Sequence, residues 1–541
     1  PDSRSNLKVT GNEEVVESSG TVGTAVKGNG TTLKTTDGAY FSSNEAYRQG
    51  ASSAVVTEAI KLMSGEFTYT NPKGEVFTVK LPIVDKKLQT KIKSLRTRYK
   101  NATSKAQKDR LKLKLQEATE QAYNQVVEHA EAMLQANLDI ASPEFIEQGR
   151  QWYDGANRLA QGLASEYGIS LEKSAAMIAA LSPQNPWDNN LANAESLLSV
   201  LTLGSDIAID ADVIAQIESL RNNDKGNPRA DVVSVLDAIE NFEGKTIAQL
   251  NAEGIDPRIL GIVARGIFQA EMQAEASEAG VSLSEYLRYP QYRADGSFFE
   301  MSNSRESLGS FGELGKAIEI FFLTDESKIT SMLGNGNKVR NFYNNIVNPN
   351  SAEGYVTIDT HATAIALGVP MGSNAVGGLG VFKGGPSYTY SAIAEAYRNV
   401  AARNGMLPRE LQSVVWTMAQ SGIHADNNKY ENYRERVTEI FSGEGTIADK
   451  AREFVEGVEF VEPRWLDGTG VSLTTLPKVR PTNESDANQA TRGESDSGVE
   501  GDVGIGESSP TDVVVQPTEQ VKPTENDTKN KIQPGTNLYG Q

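Results

Sequence analysis

Apolar residues recur at helical spacing through most of the chain between residues 85 and 460. The stretch 85–136 contains no proline or glycine, and Leu88, Ile92 and Leu95 fall on one helical face. Residues 143–460 alternate apolar helical stretches with short polar turns, and strand patterns are scarce. We therefore predict an all-α fold, with a basic long helix or helix pair over 85–140 and an all-α domain over 143–460. The helices predicted in that domain cover 145–167, 171–181, 189–203, 230–242, 259–274, 314–322, 391–404 and 408–420.

The two ends of the chain lack this pattern. Residues 1–40 are rich in glycine, serine, threonine and asparagine, which indicates a flexible segment. Residues 41–84 predict a small element with a helix over 54–63 and a possible hairpin, in which 66–69 and 76–81 flank a turn. Residues 463–541 carry no sustained apolar pattern. From 481 they hold 11 acids and 4 bases, which predicts a disordered acidic tail.

Composition narrows the possible functions. The 541 residues are enough for two or three domains, and the net charge of −19 argues against a surface coated in cations for nucleic acid. The absence of cysteine excludes disulfides, cysteine-bound zinc and four-cysteine iron–sulfur clusters. Three isolated histidines do not suggest a metal site, so no metal or cofactor is expected. No apolar run approaches the ~18–20 residues of a membrane span, so no membrane partner is expected.

One segment departs sharply from the acidic average. Residues 86–114 contain twelve lysines and arginines and a single acid, Asp109. A cationic helix of this kind is typical of an arm that binds phosphates. It is equally typical of a solvated helical spacer or of the outer face of a coiled coil, and the spacing alone does not decide between these interpretations.

The most informative stretch is 332–368. A short helix over 325–333 leads into Gly334, Asn335, Gly336 and Asn337, and a second helix opens at Lys338. A third helix opens at Asp359, which follows Lys338 by 21 residues. A Gly-x-Gly turn between helices exposes backbone N–H groups that can hold a phosphate. This layout resembles the helix-hairpin-helix DNA glycosylases, the endonuclease III-like enzymes, in which the hairpin carries a lysine nucleophile and a later segment carries a catalytic aspartate.

A second stretch is similar to the same family. Residues 175–198 form an apolar helix that breaks at Ser182 and Pro183, followed by a polar turn and a new helix. In the family, a glutamine in this turn fills the gap left by the base that leaves the stack, and Gln184 takes that position. The resemblance covers about residues 143–440 and implies a helix-hairpin-helix glycosylase-like core. The form Ser-Pro-Gln-x-Pro-Trp is also similar to a set of uncharacterised phage proteins, which implies a location in the virion or the host cytoplasm.

The resemblance implies a DNA glycosylase or AP lyase that cleaves an N-glycosidic bond. Lys338 would be the nucleophile and Asp359 would stabilise the cation-like sugar. The residues implied in DNA binding are Gln184, Gly334, Gly336, Asn337 and Arg340. DNA and other virion proteins are the partners that follow from this interpretation.

Each of these residues also has a structural explanation. Asp359 is a good N-cap, worth about 1 kcal/mol. Lys338 is explained equally by an exposed first-turn lysine, and Gln184 by a plain turn residue. Two other functions therefore stay open: a non-enzymatic phage protein, virion-associated or structural, that keeps a glycosylase-like scaffold, and an enzyme that acts on another N-glycoside or on a cell-wall sugar.

Overall fold

A computed structural model describes residues 62–456, apart from short gaps, together with four strands nearer the N-terminus. The gaps are residues 64, 71–75, 82, 184, 186, 224–225, 293–297, 306–307, 370–372, 383–386, 422–435, 437–438 and 442. Helices dominate the described part, as the hydrophobic spacing predicts. The predicted acidic tail over 463–541 lies outside the described residues.

The N-terminal region contains more regular structure than its composition suggests. Four short strands lie within the first 40 residues, where the sequence indicated a flexible segment without regular structure. They are β1 (Asn6–Thr10), β2 (Glu13–Glu17), β3 (Val22–Lys27) and β4 (Thr31–Thr36), in the sheet order β1-β2-β4-β3. The predicted hairpin is confirmed, since β5 (Glu66–Thr70) pairs antiparallel with β6 (Val76–Lys80). The predicted helix over 54–63 lies outside the described residues except for Leu62 and Met63, which are helical.

The basic segment is a pair of helices and not one long helix. Helix α1 (Lys86–Asn101) ends in an extended residue, Ala102, and α2 (Lys105–Ile140) begins after Ser104, whose hydroxyl accepts a hydrogen bond from the N–H of Gln107 at 3.2 Å. That bond satisfies one of the N–H groups that a helix start leaves without a partner. The two helices pack through a buried apolar seam. The seam consists of Leu88, Ile92, Leu95, Leu111 and Leu115.

The rest of the described chain is mostly helical. The helices, in chain order, are α3 (Pro143–Glu166), α4 (Leu171–Leu181), α5 (Trp187–Thr202), α6 (Ala211–Ser219), α7 (Ala230–Asp237), α8 (Ile247–Ala252), α9 (Pro257–Glu278), α10 (Leu283–Tyr286), α11 (Phe311–Phe322), α12 (Ile329–Met332), α13 (Asn337–Val347), α14 (Thr360–Leu367), α15 (Ser373–Gly378), α16 (Tyr388–Arg403), α17 (Pro408–Ser421) and α18 (Ile447–Val455). One antiparallel strand pair interrupts them, β7 (Arg288–Tyr292) with β8 (Phe298–Arg305). The sequence did not indicate these strands, so the domain over 143–460 is largely but not purely helical.

The helices build two apolar cores. One core gathers α1, α2, α14, α16 and α18, and the other gathers α4, α5, α9, α11 and α13. Helix α17 joins them, because Leu411 and Val414 lie in the first core while Trp416 packs against the second. Within the described residues, no helix combines the length and the apolar character that crossing a bilayer requires.

Candidate functional site

The glycine turn before α13 is open to its surroundings. Gly334 has a φ of +80°, a left-handed conformation that favours glycine, and its N–H donates to Ser331 O at 3.1 Å. A methyl group added at Gly334 or at Gly336 would meet no atom within 4 Å. Gly336 is the N-cap of α13 and has no side chain to accept a hydrogen bond from the first turn. The turn therefore has open space beside both glycines, while the Gly334 N–H is used within the turn itself.

Arg340 holds this turn from inside. Its side chain is 4% exposed, its Nε donates to Gly334 O, and its Nη2 lies 3.5 Å from Asn335 Oδ1. The guanidinium therefore supports the turn from within the protein. The sequence analysis predicted instead that Arg340 would contact DNA. A contact between Arg340 and a phosphate stays a prediction. Asn337, at the start of α13, is 1% exposed.

Asp359 follows an extended segment that is fixed by buried hydrogen bonds. The Tyr390 hydroxyl donates to Val356 O at 2.6 Å and accepts from the N–H of Ile358 at 3.2 Å. Asn341 Nδ2 donates to Val356 O at 2.8 Å and to the Tyr390 hydroxyl at 2.9 Å. These bonds tie α13 and α16 to the residues that immediately precede Asp359. Because buried polar networks are strong when every partner is satisfied, the position of Asp359 is well determined.

A second set of bonds fixes the same segment from α3 and α17. The Tyr153 hydroxyl lies 2.8 Å from Thr357 Oγ1 and 3.2 Å from Gln412 Oε1. Asn345 Nδ2 donates to Thr357 Oγ1 at 3.3 Å. The segment before Asp359 is thus held by four helices, α3, α13, α16 and α17, which belong to both cores.

Both carboxylate oxygens of Asp359 have defined partners. Oδ1 accepts from the N–H of Ala362 at 2.8 Å, which confirms Asp359 as the N-cap of α14. Oδ2 accepts from the indole Nε1 of Trp416 at 3.0 Å. The side chain is half-buried, so part of the carboxylate is open to solvent. Capping and catalysis are compatible here, because a carboxylate oxygen has more than one acceptor position.

Lys338 is partly withdrawn from solvent, and the charge of the Asp359 carboxylate acts on its amine. The side chain is half-buried, and desolvation lowers the pKa of its amine, although the charges of Asp359 and Glu313 act in the opposite direction. An amine with a lowered pKa is neutral, and hence nucleophilic, in a larger fraction of molecules at neutral pH. We use the name cleft for the region formed by Lys338, Asp359, Glu313, His361 and Trp416.

Two further titratable groups share the cleft. Glu313 stands in the first turn of α11, and burial raises the pKa of its carboxyl. Hydrogen bonds from Ser310 and the charges of Lys316 and Lys338 act in the opposite direction and lower that pKa. Burial lowers the pKa of His361, and the nearby charge of Lys338 lowers it further, while Asp359 raises it. Groups whose pKa values are displaced by burial together with a specific charge are typical of functional sites. The cleft thus combines an amine, two carboxyl groups and an imidazole.

Aromatic rings form one wall next to the cleft. The Trp152 ring centroid lies 5.0 Å from that of Trp187, 5.7 Å from that of Trp416 and 6.2 Å from that of Phe342. Trp416 also contacts His361 edge-to-face at 5.9 Å. The wall therefore connects the turn after α4 to the Asp359 carboxylate through adjacent rings.

The connection between α13 and Asp359 is held by two arginines. Arg398 Nε donates to Gly354 O at 2.8 Å, and Arg409 Nε donates to Pro349 O. Arg409 Nη1 also donates to Arg150 O at 3.2 Å. These contacts fix the loop that separates the amine from the carboxylate in sequence.

The predicted site residues are thus brought together only in part. The structure places Lys338, Asp359 and the glycine turn in one region, while Gln184 lies outside the described residues. Sequence reasoning missed the contributions of Glu313, Tyr390 and Trp416. Among the described residues, no group of three histidine, aspartate or glutamate side chains is arranged to hold a metal ion.

Comparison with known proteins gives one match. The model of a family of unknown function (DUF7178) matches residues 116–212 and 299–423, less than half of the chain. The second matched segment contains Lys338, Asp359 and Trp416, whereas the basic helix pair before residue 116 lies outside both segments. No curated protein and no solved structure matches the chain. The chain is therefore similar to a family whose activity is unknown.

Proposed function

We propose that the chain is a DNA glycosylase with AP-lyase activity, in which Lys338 is the nucleophile and Asp359 stabilises the positive charge that develops on the sugar. The observation that carries the proposal is a half-buried amine within electrostatic reach of a carboxylate that is fixed by two hydrogen bonds. A lysine needs desolvation or a nearby cation to act as a nucleophile at neutral pH. A carboxylate beside a cation-like sugar supplies electrostatic stabilisation of the transition state.

The chemistry assigns a role to each group. The neutral Lys338 amine forms a bond to C1′ as the bond between C1′ and the base breaks, and the base leaves with that electron pair and takes up a proton. The amine then loses a proton, the bond between C1′ and the ring oxygen breaks, and the ring oxygen takes up a proton, which leaves a C1′=N iminium linked to the enzyme. Glu313, whose pKa is raised by burial, is the group that exchanges protons with the amine in this scheme.

The remaining features fit a DNA substrate. The base must leave the stack before its glycosidic bond can be reached. The turn at Gly334 and Gly336 has open space beside both glycines, where a phosphate could approach the start of α13, and the half-buried rings of Trp187 and Trp416 lie beside the cleft.

The test is borohydride trapping on duplexes that carry an abasic site or a damaged base. Borohydride reduces the iminium to a stable amine and leaves a covalent protein–DNA adduct. We expect an adduct with the wild-type chain, none with Lys338→Ala, and a strongly reduced yield with Asp359→Asn. Lys328→Ala is the matched control, since Lys328 lies just before the turn but is 62% exposed and paired with Asp325.

The outcomes separate the candidate functions. An adduct that persists in Lys338→Ala would remove Lys338 from the role of nucleophile. The absence of any adduct with the wild type, on all such duplexes, would overturn the proposal. The chain would then be interpreted as a non-enzymatic protein that keeps the scaffold.

A further inference from the structure

A dense cluster of positive charge lies before the first segment that the family model matches, which begins at residue 116. Twelve lysines and arginines and one acid lie between Lys86 and Lys114, so this segment carries a net +11 within a chain of net −19. We use the name basic arm for α1 together with the part of α2 up to Lys114. Ten of the twelve cationic side chains are exposed, and Arg96 and Lys112 are half-buried. The arm is thus a cationic surface and not a buried network.

These cations have no partners within the described protein. Among the described residues, none of the ion pairs involves one of the twelve, and none of their charged side-chain groups forms a hydrogen bond. Protein surfaces that serve solubility usually intersperse both signs of charge and gain from pairs of opposite charge spaced three or four residues apart. The basic arm has one acid, Asp109, for twelve cations. Its charge pattern therefore does not stabilise its own helices.

The positions of some cations even oppose helix stability. Lys86 and Lys87 lie in the first turn of α1, and Lys105 and Lys108 lie in the first turn of α2, and neither first turn contains an acid. Cations near a helix N-terminus interact unfavourably with the helix dipole, by about 0.3–1 kcal/mol each at low ionic strength. A ligand that carries negative charge would reverse this cost.

Two classes of polyanion, an anionic membrane surface and a nucleic acid, could meet such a surface, and the packing distinguishes them. A helix that lies in a membrane interface needs an exposed apolar face. Here the apolar face of the arm, including Leu88, Ile92 and Leu111, is buried between α1 and α2. The large apolar side chains that remain exposed on the arm are Tyr99 and Leu113. The arm thus lacks the continuous apolar face of a membrane-binding helix.

The dimensions of the arm suit a nucleic acid backbone. The 16 residues of α1 span about 24 Å, which corresponds to about seven base pairs of duplex. Exposed lysines and arginines along that length can neutralise several phosphates without reading sequence. We propose that the basic arm binds the phosphate backbone of duplex DNA and so supplies most of the affinity of the chain for DNA. The choice of DNA among polyanions rests on the proposed function.

The experiment measures binding of the full chain to an undamaged duplex of about 20 base pairs by fluorescence anisotropy, at several salt concentrations from about 50 to 200 mM. The arm variant is Lys93→Gln with Arg98→Gln. The control variant is Lys245→Gln with Arg221→Gln, which removes one lysine and one arginine that are exposed but paired with Glu253 and Glu218. Thermal melting checks that both variants fold.

We expect the wild type to bind with a steep salt dependence. Loss of two phosphate contacts should reduce the slope of log K against log salt by about 2 and weaken binding at least about tenfold at low salt. The control variant should keep the wild-type slope. Equal slopes for the arm variant and the control would overturn the proposal, as would arm-dependent binding to phosphatidylserine vesicles without binding to the duplex.

The anisotropy experiment tests the arm independently of the borohydride experiment, which tests the proposed enzyme activity. A reduced slope in the arm variant, together with no borohydride adduct in the wild type, would leave a DNA-binding arm on a chain that is not a lyase. An adduct with an unchanged slope would leave the enzyme without this arm function.

Discussion

The cleft and the basic arm both rely on lysine, and the comparison shows how burial decides what a lysine can do. Most arm cations are exposed to solvent, whereas Lys338 is half-buried beside Asp359 and Glu313. Exposed cations act through their number and spacing, as an electrostatic surface. A desolvated amine has a lowered pKa and acts through its lone pair. In the two proposals made above, one residue type thus serves two kinds of chemistry in one chain.

The largest expected difference between the two regions is catalytic. Lys338→Gln should reduce the rate of adduct formation with abasic DNA by at least about a thousandfold, because no neutral amine remains in the cleft. In the wild type the rate should rise with pH through the lowered pKa of Lys338, since deprotonation creates the nucleophile. Single-turnover trapping at several pH values measures both effects. Lys91→Gln on the arm should keep the pH profile, and a shifted profile in that variant would contradict the separation of the two regions.

The buried His129 makes the stability of the fold depend on pH. His129 Nε2 lies 3.0 Å from Leu367 O at the end of α14, so Nε2 is the donor, and burial lowers the pKa of the ring to about 4. The unfolded value is about 6.5, so the folded state resists protonation and stability falls as pH decreases from 6.5 to 4, by about 3 kcal/mol. The ring borders a cavity of 330 Å³, whose charged lining residues are Asp85, Glu128 and Lys450.

His129→Gln tests this dependence, because glutamine can donate to Leu367 O but does not titrate. Urea unfolding at pH 7.5, 5.5 and 4 should show that the wild type loses about 3 kcal/mol more than the variant over this range. A parallel decline of both proteins would show that His129 takes up its proton as readily in the folded state as in the unfolded state, so that burial does not lower its pKa.

The network behind Asp359 predicts a smaller loss. Tyr390→Phe removes the hydroxyl that bridges Val356 O, the Ile358 N–H and Asn341, and leaves the Ile358 N–H buried without its partner. We expect a cost of about 2 kcal/mol in the free energy of unfolding. Tyr397→Phe is the control, since the Tyr397 hydroxyl makes one longer bond, 3.2 Å to Ala362 O, and should cost about 1 kcal/mol. Equal costs for the two variants would mean that the network is no stronger than a single bond.

These elements also show what a sequence can and cannot predict. Helical spacing predicted most helices of both cores, although not α18, and the N-cap role of Asp359 followed from its place before an apolar helix. The break between α1 and α2 has no proline or glycine to mark it, so a long helix was an equal alternative. The bond from Trp416 to Asp359 spans 57 residues. No local pattern encodes such a contact, because it depends on how two cores pack against each other.

Trp416 itself gives the next prediction. Trp416→Phe keeps an aromatic ring beside Trp152 and His361 but removes the donor to Asp359 Oδ2. Oδ1 still accepts from Ala362 N–H, so the cap of α14 remains. We expect adduct formation about tenfold slower, which corresponds to one charge-assisted hydrogen bond. Trp152→Phe is the control, because Trp152 contacts the same aromatic wall without bonding the carboxylate, and an equal loss in that variant would assign the effect to packing.

The smallest expected effect lies on the arm and completes the comparison. Lys93→Gln with Arg98→Gln should change the free energy of unfolding by less than about 0.5 kcal/mol, because both side chains are exposed and neither forms an ion pair in the described part of the chain. Urea unfolding at low and high salt measures this change. A clear stabilisation at low salt would also be informative, since it would show that repulsion among the arm cations costs folding energy. A loss of more than about 1 kcal/mol would contradict the arm as a solvated surface, because stability would then depend on side chains that have no partner to lose.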